Sequence, residues 1–99
     1  MNILNKADQI VNKRSEEKIR EYGPFSECNR RAAVIASILS NKNISIEDMY
    51  NMQIALKLAR ESWSHKEDNL LDCCAFIGAK NNYLEGISVN NEDITKKND

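Results

Sequence analysis

Apolar residues recur along this chain at intervals of three and four residues, the spacing that places them on one face of an α-helix. Four such segments are separated by short polar or turn-forming links, and no stretch alternates apolar with polar residues as a strand does. The pattern predicts an all-α fold, a four-helix antiparallel bundle. The expected inner faces are Ile3, Ala7, Ile10, Val11 and Arg14; Phe25, Ala32, Ile35, Ala36 and Leu39; Ile46, Met49, Gln53, Leu56, Ala59 and Arg60; and Leu70, Leu71, Cys74, Ile77 and Gly78.

Capping and turn signals set the expected helix ends. The helices are predicted over residues 2–21, 26–40, 45 to the 61–66 segment, and 67–84. Gly23 and Pro24 stop the first helix, and Ser26 is the expected cap of the second. Ser45 with Asp48 forms a capping box at the start of the third. Residues 1–86 therefore form a single helical domain, and residues 87–99 are expected to be a flexible C-terminal tail.

Composition adds an expectation about assembly. The chain has 99 residues, of which 41% are hydrophobic and 6% aromatic, so one subunit has little material for a core. We therefore expect a homo-oligomer, at least a dimer, in which subunits share a core. The net charge of -1 argues against a protein that binds DNA or RNA through an overall basic surface.

Several features favour a cytoplasmic protein. No segment is long and apolar enough to span a membrane, and the N-terminus lacks the apolar core of a signal peptide. The three cysteines, Cys28, Cys73 and Cys74, are an odd number and include an adjacent pair, which is a poor basis for disulfides. We interpret them as small hydrophobic residues in a reducing compartment.

Basic residues on inward-facing positions are the first candidates for chemistry. Arg14 ends the apolar stripe of the first segment, and a buried guanidinium requires an anion, either a ligand phosphate or a carboxylate such as Asp72. Lys57 and Arg60 share one helix face and can both reach one phosphate, although ordinary surface neighbours have the same spacing. If the first and third helices run the same way, Arg14 and Arg60 meet at one end of the bundle, with Asp72 orienting one arginine.

Acidic and aromatic residues supply the remaining candidates. Asp68 and Asp72 share a face of the fourth segment and could hold Mg²⁺ together with a substrate phosphate. Such a site needs carboxylates from a second helix, where the second segment offers only Glu27. The alternative for Asp68 is a helix-capping role in the first turn. Trp63 is either a boundary residue or a platform on which a base stacks.

The order of these motifs resembles that of a small phage- and prophage-associated helical family of unassigned activity. The resemblance covers residues 4–79, through AxxIVNxR, YGP, ISIEDM, ALKLAR and DNLLDCCAFIGA. That family is distantly similar to the MazG-like all-α nucleoside triphosphate pyrophosphohydrolases. The resemblance implies a MazG-like bundle, an oligomer and a nucleotide-shaped ligand. The positions that match the family pattern are Arg14, Tyr22, Gly23, Asn29, Lys57, Arg60, Asp68 and Asp72.

One departure from the MazG-like enzymes favours ligand binding over hydrolysis. MazG-like enzymes bind Mg²⁺ with Glu-x-x-Glu on one helix and Glu-x-x-Asp on another, and the second segment here has no such pair. The first hypothesis is therefore a phage-encoded protein that sequesters a nucleotide-derived immune signal, a cyclic nucleotide or an ADP-ribose derivative, without catalysis or cofactor. Its implied ligand-binding residues are Arg14, Tyr22, Asn29, Lys57, Arg60 and Asp72.

Two alternatives remain open. The first is a Mg²⁺-dependent pyrophosphohydrolase that uses Asp68 and Asp72 as metal ligands. The second is a purely structural or protein-binding bundle whose ion pairs are all internal, since fold resemblance alone does not fix function.

Overall fold

The computed structural model describes residues 1–86, and this part of the chain contains five helices and no strand. Four helices have ten or more residues and α2 has only two turns, so the all-α class is confirmed here. The expected flexible tail, residues 87–99, lies outside the described residues. The helices are α1 Ile3–Asn12, α2 Glu16–Tyr22, α3 Phe25–Ser40, α4 Ile46–Trp63 and α5 Glu67–Leu84.

The first predicted helix is divided into α1 and α2, so the prediction of one helix over residues 2–21 is wrong. Ser15 has an extended backbone, with φ −65° and ψ 155°, and its side chain accepts a hydrogen bond from the Lys18 N–H. This cap starts a new helix at the next residue. The apolar stripe of α1 ends just before the break. The break turns α2 onto α3.

The other helix ends follow the local signals more closely. Gly23 has a positive φ of 78°, and Pro24 occupies the N-cap position of α3. The expected Ser26 cap is wrong, because α3 already begins at Phe25 and no side chain caps it. The capping box of α4 is confirmed, with Ser45 and Asp48 each accepting a backbone hydrogen bond from the other. The predicted bounds of α5 are confirmed as well.

Helices α4 and α5 form an antiparallel pair. Lys57 on α4 pairs with Asp72 on α5 at 3.1 Å, and Lys80 further along α5 donates a hydrogen bond to Asn51, earlier on α4, at 2.8 Å. The antiparallel prediction is therefore confirmed for this pair.

Helix α1 packs on α5 in the same direction, which differs from the simple antiparallel bundle. Lys6 pairs with Glu67 at 2.6 Å, near the start of both helices. Further along both helices, the Asn82 side-chain amide donates to Asn12 at 2.9 Å. Helix α5 therefore lies between α1 and α4 and contacts both.

Helix α3 crosses the start of α4 and does not run alongside it over its full length. The link after α3 folds back along the helix, and the Ile44 N–H donates to the Ser37 hydroxyl at 2.9 Å. Helix α4 then begins beside Asn29, whose side-chain amide donates to the Ile46 carbonyl at 3.3 Å. This crossing covers the first half of α3 and leaves much of its second half exposed to solvent.

The hydrophobic core is small and lies between α1, the first half of α4 and α5. It is built mostly from short side chains, and the largest fully buried one among the described residues is Tyr50. The partly buried side chains of Phe25 and Phe76 pack against this cluster, with ring centroids 5.1 Å apart. The core cluster consists of Ala7, Val11, Tyr50, Ala75 and Ala79.

The predicted inner faces are only partly buried. Ala7 and Val11 confirm the prediction for α1. Four large side chains assigned to inner faces are instead about half or more exposed, and for them the prediction is wrong. The reason is that α3, α4 and α5 carry apolar residues on more than one face, and a single subunit covers only one of these faces. The exposed residues are Ile35, Leu39, Leu56 and Ile77.

Two of the three cysteines lie in or against the core, as predicted for small hydrophobic residues. None of the three is in a disulfide within residues 1–86; Cys73 is buried, and Cys74 packs against the core. Burial raises the pKa of the Cys73 thiol. Among residues 1–86, no helix combines the length and hydropathy needed to cross a bilayer.

Candidate functional site

Four basic side chains line one open groove between α1, the start of α2 and α5. We call it the basic groove, and its volume is about 460 Å³. Ile10 and Leu71 form an apolar part of its wall, and none of its lining residues is acidic. The lining residues are Lys6, Gln9, Ile10, Lys13, Arg14, Ser15, Lys18 and Leu71.

Arg14 lies at the break between α1 and α2, so the turn and not a helix face positions its side chain. Its guanidinium carbon lies 5.7 Å from the centroid of the Phe25 ring, and its Nη1 atom is buried. This distance is within the range of a cation–π interaction. Phe25 is supported in turn by Phe76. The arginine is thus held by packing at the edge of the groove.

Acidic residues beside the groove pair with two of its lysines. Lys6 pairs with Glu67, and Lys13 pairs with Asp8 at 3.4 Å. The hydrogen bond from Lys6 lowers the pKa of Glu67. The pKa of Asp8 is also lowered, first by a hydrogen bond from Asn12 and then by one from Lys13. Both acids are therefore ionised at neutral pH, and each pairs with a lysine of the groove.

Lys57 does not share a phosphate site with Arg60. Its ammonium group pairs with Asp72, and only 17% of its side chain is exposed. The pair connects α4 to α5, so Asp72 engages a lysine of α4. Lys57 and Arg60 are three residues apart, which separates them by about 60° around the helix axis. That angle allows Lys57 to turn towards α5 while Arg60 stays exposed.

Arg60 lines a second groove, at the junction of α4 and α5, instead of meeting Arg14. This groove also has a volume of about 460 Å³, and it contains Trp63 and Lys66. The Trp63 side chain is 93% exposed. The expectation that Arg14 and Arg60 form one clamp at the same end of the bundle is therefore wrong, because the two arginines line different grooves.

Asn29 has a structural position between α3 and α4. It is 3% exposed, and its amide donates to the Ile46 carbonyl. Its Oδ1 atom is buried and accepts no hydrogen bond in the described part of the chain. Neither groove includes Asn29 among its lining residues. Tyr22 ends α2, and its side chain lies outside what the structure describes.

The two candidate metal ligands do not form a metal centre. Asp68 is exposed in the first turn of α5, where a carboxylate is favoured by the helix dipole. Asp72 is engaged by Lys57. Within residues 1–86, no group of three or more histidine, cysteine or carboxylate side chains is placed to hold a metal ion. Mg²⁺ normally needs several oxygen ligands, so these residues fit it poorly.

Sequence reasoning identified Arg14 but missed the lysines around it. Lys6, Gln9, Ile10 and Lys13 have spacings of three, one and three residues, which place them on one side of α1. That spacing was a usable signal, since it puts two cations beside an apolar wall. Lys18 could not be found in this way, because its position depends on the break before α2.

The chain matches the family model of a domain of unknown function, DUF6378, over residues 2–84. No curated protein and no solved structure shows significant similarity to it. The family match covers most of the chain, including α1 to α5 and both grooves. The chain is therefore a member of the DUF6378 family.

Proposed function

We propose that this protein binds a nucleotide-derived small molecule through its phosphate groups and holds it without chemical conversion. The observation that carries the proposal is the convergence of Lys6, Lys13, Arg14 and Lys18 on one groove. Phosphate groups carry concentrated negative charge, and lysine and arginine are the side chains that recognise them.

The position of Arg14 supports a phosphate contact. A guanidinium presents a planar fork of N–H donors that matches two phosphate oxygens. Packing over Phe25 restricts this side chain before a ligand arrives, which reduces the entropy lost on binding. Lys13 and Lys18 are exposed and can approach the ligand from the groove edge.

The groove also has room and apolar surface for the rest of a nucleotide. Its volume of about 460 Å³ falls within the usual range for small-molecule sites, about 300–1,000 Å³. Ile10 and Leu71 offer apolar contacts to a ribose or base. The ligand class that fits is a nucleotide with one or more phosphates, such as a cyclic nucleotide or an ADP-ribose derivative.

A binding protein of this kind acts by lowering the concentration of its ligand. We propose that it is phage-encoded and works in the host cytoplasm, where it sequesters a nucleotide-derived immune signal. We also propose that it assembles as a homo-oligomer, at least a dimer. The sequence resemblance and the small core support these parts of the proposal.

Calorimetric titration with ADP-ribose, a cyclic dinucleotide and inorganic pyrophosphate tests the binding site. Arg14→Ala should weaken binding of the preferred probe by about ten- to a hundredfold, since a charge-assisted contact contributes about 1.5–3 kcal/mol. Because Arg14 also packs on Phe25, the Lys13→Ala/Lys18→Ala variant provides a second test with less effect on folding. Arg20→Ala is the matched control, an exposed arginine of α2 that does not line the groove.

Fluorescence distinguishes the two grooves. Trp63 is the sole tryptophan of the chain, so a ligand in the groove with Arg60 should change its emission, whereas a ligand in the basic groove should not. Absence of binding by every probe, or an equal loss in Arg20→Ala, would reject the proposal. Binding that is lost in Arg60→Ala with a change in Trp63 emission would move the site to the second groove.

Metal dependence separates binding from hydrolysis. Affinity should persist in EDTA, because the basic side chains and not Mg²⁺ make the phosphate contacts. Mg²⁺-dependent release of pyrophosphate from any nucleoside triphosphate, abolished in Asp72→Asn, would instead support the pyrophosphohydrolase alternative.

A further inference from the structure

Two apolar stripes on α3 and α4 lie outside the core of the subunit. Both follow helical spacing and are exposed along their length. Leu39 is 82% exposed and Ile38 is 74% exposed, values unusual for adjacent large aliphatic side chains. The α3 stripe consists of Val34, Ile35, Ile38 and Leu39, and the α4 stripe of Met52, Leu56, Ala59 and Trp63.

The exposed apolar area that α3 and the first half of the α4 stripe offer is close to that of a stable protein interface. The α3 stripe alone exposes roughly 500 Å², near the upper end for the largest apolar patch of a monomer. The α3 stripe together with Met52 and Leu56 exposes on the order of 700 Å², and each partner of a standard-size interface buries about 800 Å². The core of one subunit contains few large side chains. Many of the large apolar side chains of the chain are instead exposed on α3 and α4.

The charges beside the stripes show which helices are complementary. Arg31 precedes the α3 stripe, is largely exposed and also pairs with Glu27 of its own helix, and Lys42 lies in the link after α3. An antiparallel pair of α3 helices centred on the stripe would bring Arg31 of one copy to the end of α3 of the other, where no acidic residue is available to it. Helix α4 instead begins with Glu47 and Asp48 before its stripe.

The spacing on the two helices matches as well. Ile35 and Leu39 follow Arg31 by four and eight residues, and Met52 and Leu56 follow Asp48 by the same intervals. Helices α3 and α4 running in the same direction therefore align the arginine with the aspartate and the aliphatic side chains with each other. Within one subunit the two helices cross only near the start of α4, so this alignment requires a second copy.

We infer that α3 of one subunit packs against α4 of a second copy of this chain, in the same direction, and that the reciprocal pair forms by two-fold symmetry. The inference rests on the proposed oligomer and names the surface that forms it. It does not depend on the identity of the nucleotide ligand, since the basic groove includes no residue of either stripe.

Sedimentation of the full chain at tens of micromolar tests the surface. The wild-type protein should be a dimer, and Leu39→Glu and Met52→Glu should each raise its dissociation constant by at least about thirtyfold. Their helical circular dichroism should be unchanged, because both side chains are already exposed. Leu4→Glu is the matched control, a 66% exposed leucine on α1 outside the two stripes, and it should remain a dimer.

Cysteine cross-linking tests the pairing of the helices. In the inferred alignment, Leu39 of one copy lies against Leu56 of the other, so the Leu39→Cys/Leu56→Cys variant should cross-link as a dimer under mild oxidation. Each single variant and the wild type, which retains its three native cysteines, provide the background. Cross-linking by Leu39→Cys alone would instead show an α3–α3 contact and overturn the inference.

The remaining outcomes show whether the oligomer itself or only the inferred surface is wrong. A wild-type monomer would overturn both the oligomer and the inferred surface, and the nucleotide titrations would be unaffected. A dimer insensitive to both Leu39→Glu and Met52→Glu would overturn the surface alone.

Discussion

At the scale of single residues, the partner of a charged side chain decides its role. Lys57 was a candidate phosphate ligand, but Asp72 engages it across the α4–α5 pair. Arg14 was expected to meet a carboxylate or a phosphate, and it lies over an aromatic ring at the edge of a basic groove. The same residue types at the same sequence positions would permit other pairings, so only their surroundings separate structural from ligand-binding roles.

Glu27 provides a residue-scale prediction for acid stability. Its carboxylate accepts hydrogen bonds from Arg30, at 2.5 and 2.9 Å, and one from Arg31 at 3.2 Å. These contacts, chiefly that of Arg30, lower the pKa of Glu27 from 4.5 to about 2. Because the folded pKa is depressed, the stabilisation is fully present above pH 4.5 and is lost as the pH falls towards about 2.

Replacement of Glu27 should flatten this pH dependence. Glu27→Gln should lose less of its free energy of unfolding than the wild type over the interval from pH 4.5 to about 2, as measured by chemical denaturation. Glu17→Gln is a control at an exposed carboxylate in the first turn of α2. Parallel pH profiles for wild type and Glu27→Gln would show that the pairing does not contribute to stability.

At the scale of elements, the residue at which a helix begins is determined by neighbouring side chains. The face that the helix buries is not determined in this way. Ser15 and Ser45 each cap the helix that follows, and the first of these caps divides a helix that apolar periodicity alone would join. The caps act over three residues, so a sequence contains all their components. The covered face of α3 depends on how its link folds back through Ser37, which no local pattern indicates.

The capping box of α4 provides an element-scale prediction. Ser45→Ala removes the acceptor for the Asp48 N–H and should lower the free energy of unfolding by about 1 kcal/mol, within a range of about 0.5–2. Urea denaturation measures this change. Ser62→Ala is the matched control within the same helix, because the Ser62 hydroxyl only donates to the Ala59 carbonyl; its effect should stay within about 0.5 kcal/mol. Equal effects of the two substitutions would mean that the box does not stabilise α4.

At the scale of the whole molecule, the subunit has more apolar side chains than its core can cover. The buried cluster is rich in alanine, and large aliphatic residues of α3 and α4 are exposed. A small chain in this condition gains stability when a second copy covers the exposed faces. The proposed nucleotide site and the proposed dimer surface use different residues, so we expect that ligand binding and assembly can be altered separately.

Assembly should make thermal stability depend on protein concentration. If folding and dimer formation are coupled, the melting midpoint of the wild type rises with concentration by mass action. Leu39→Glu should melt at a lower temperature and with no such dependence. Melting followed by circular dichroism over a hundredfold range of concentration measures both effects. A midpoint that is constant for the wild type would contradict the coupling.

Much of the secondary structure and part of the site were predictable from the sequence. The α5 bounds, the Ser45 cap and the inward face of α1 follow from periodicity and capping, which involve residues within one or two helical turns. Arg14 was identified because it ends an apolar stripe. The inner face of α3 was not predictable, since Ile35 and Leu39 satisfy the same periodicity whether the covering surface belongs to the same subunit or to another.

The sequence by itself therefore determined the helices of this protein and the residue types available for an anionic ligand, because helix formation and charge are local properties. Only the tertiary structure decided that Arg14 joins three lysines while Arg60 lines another groove, and that Lys57 pairs with Asp72. These relations depend on the turn at Ser15, the crossing of α3 and the shared direction of α1 and α5. Each brings together residues that are distant in sequence, so the packing of the whole subunit sets their geometry.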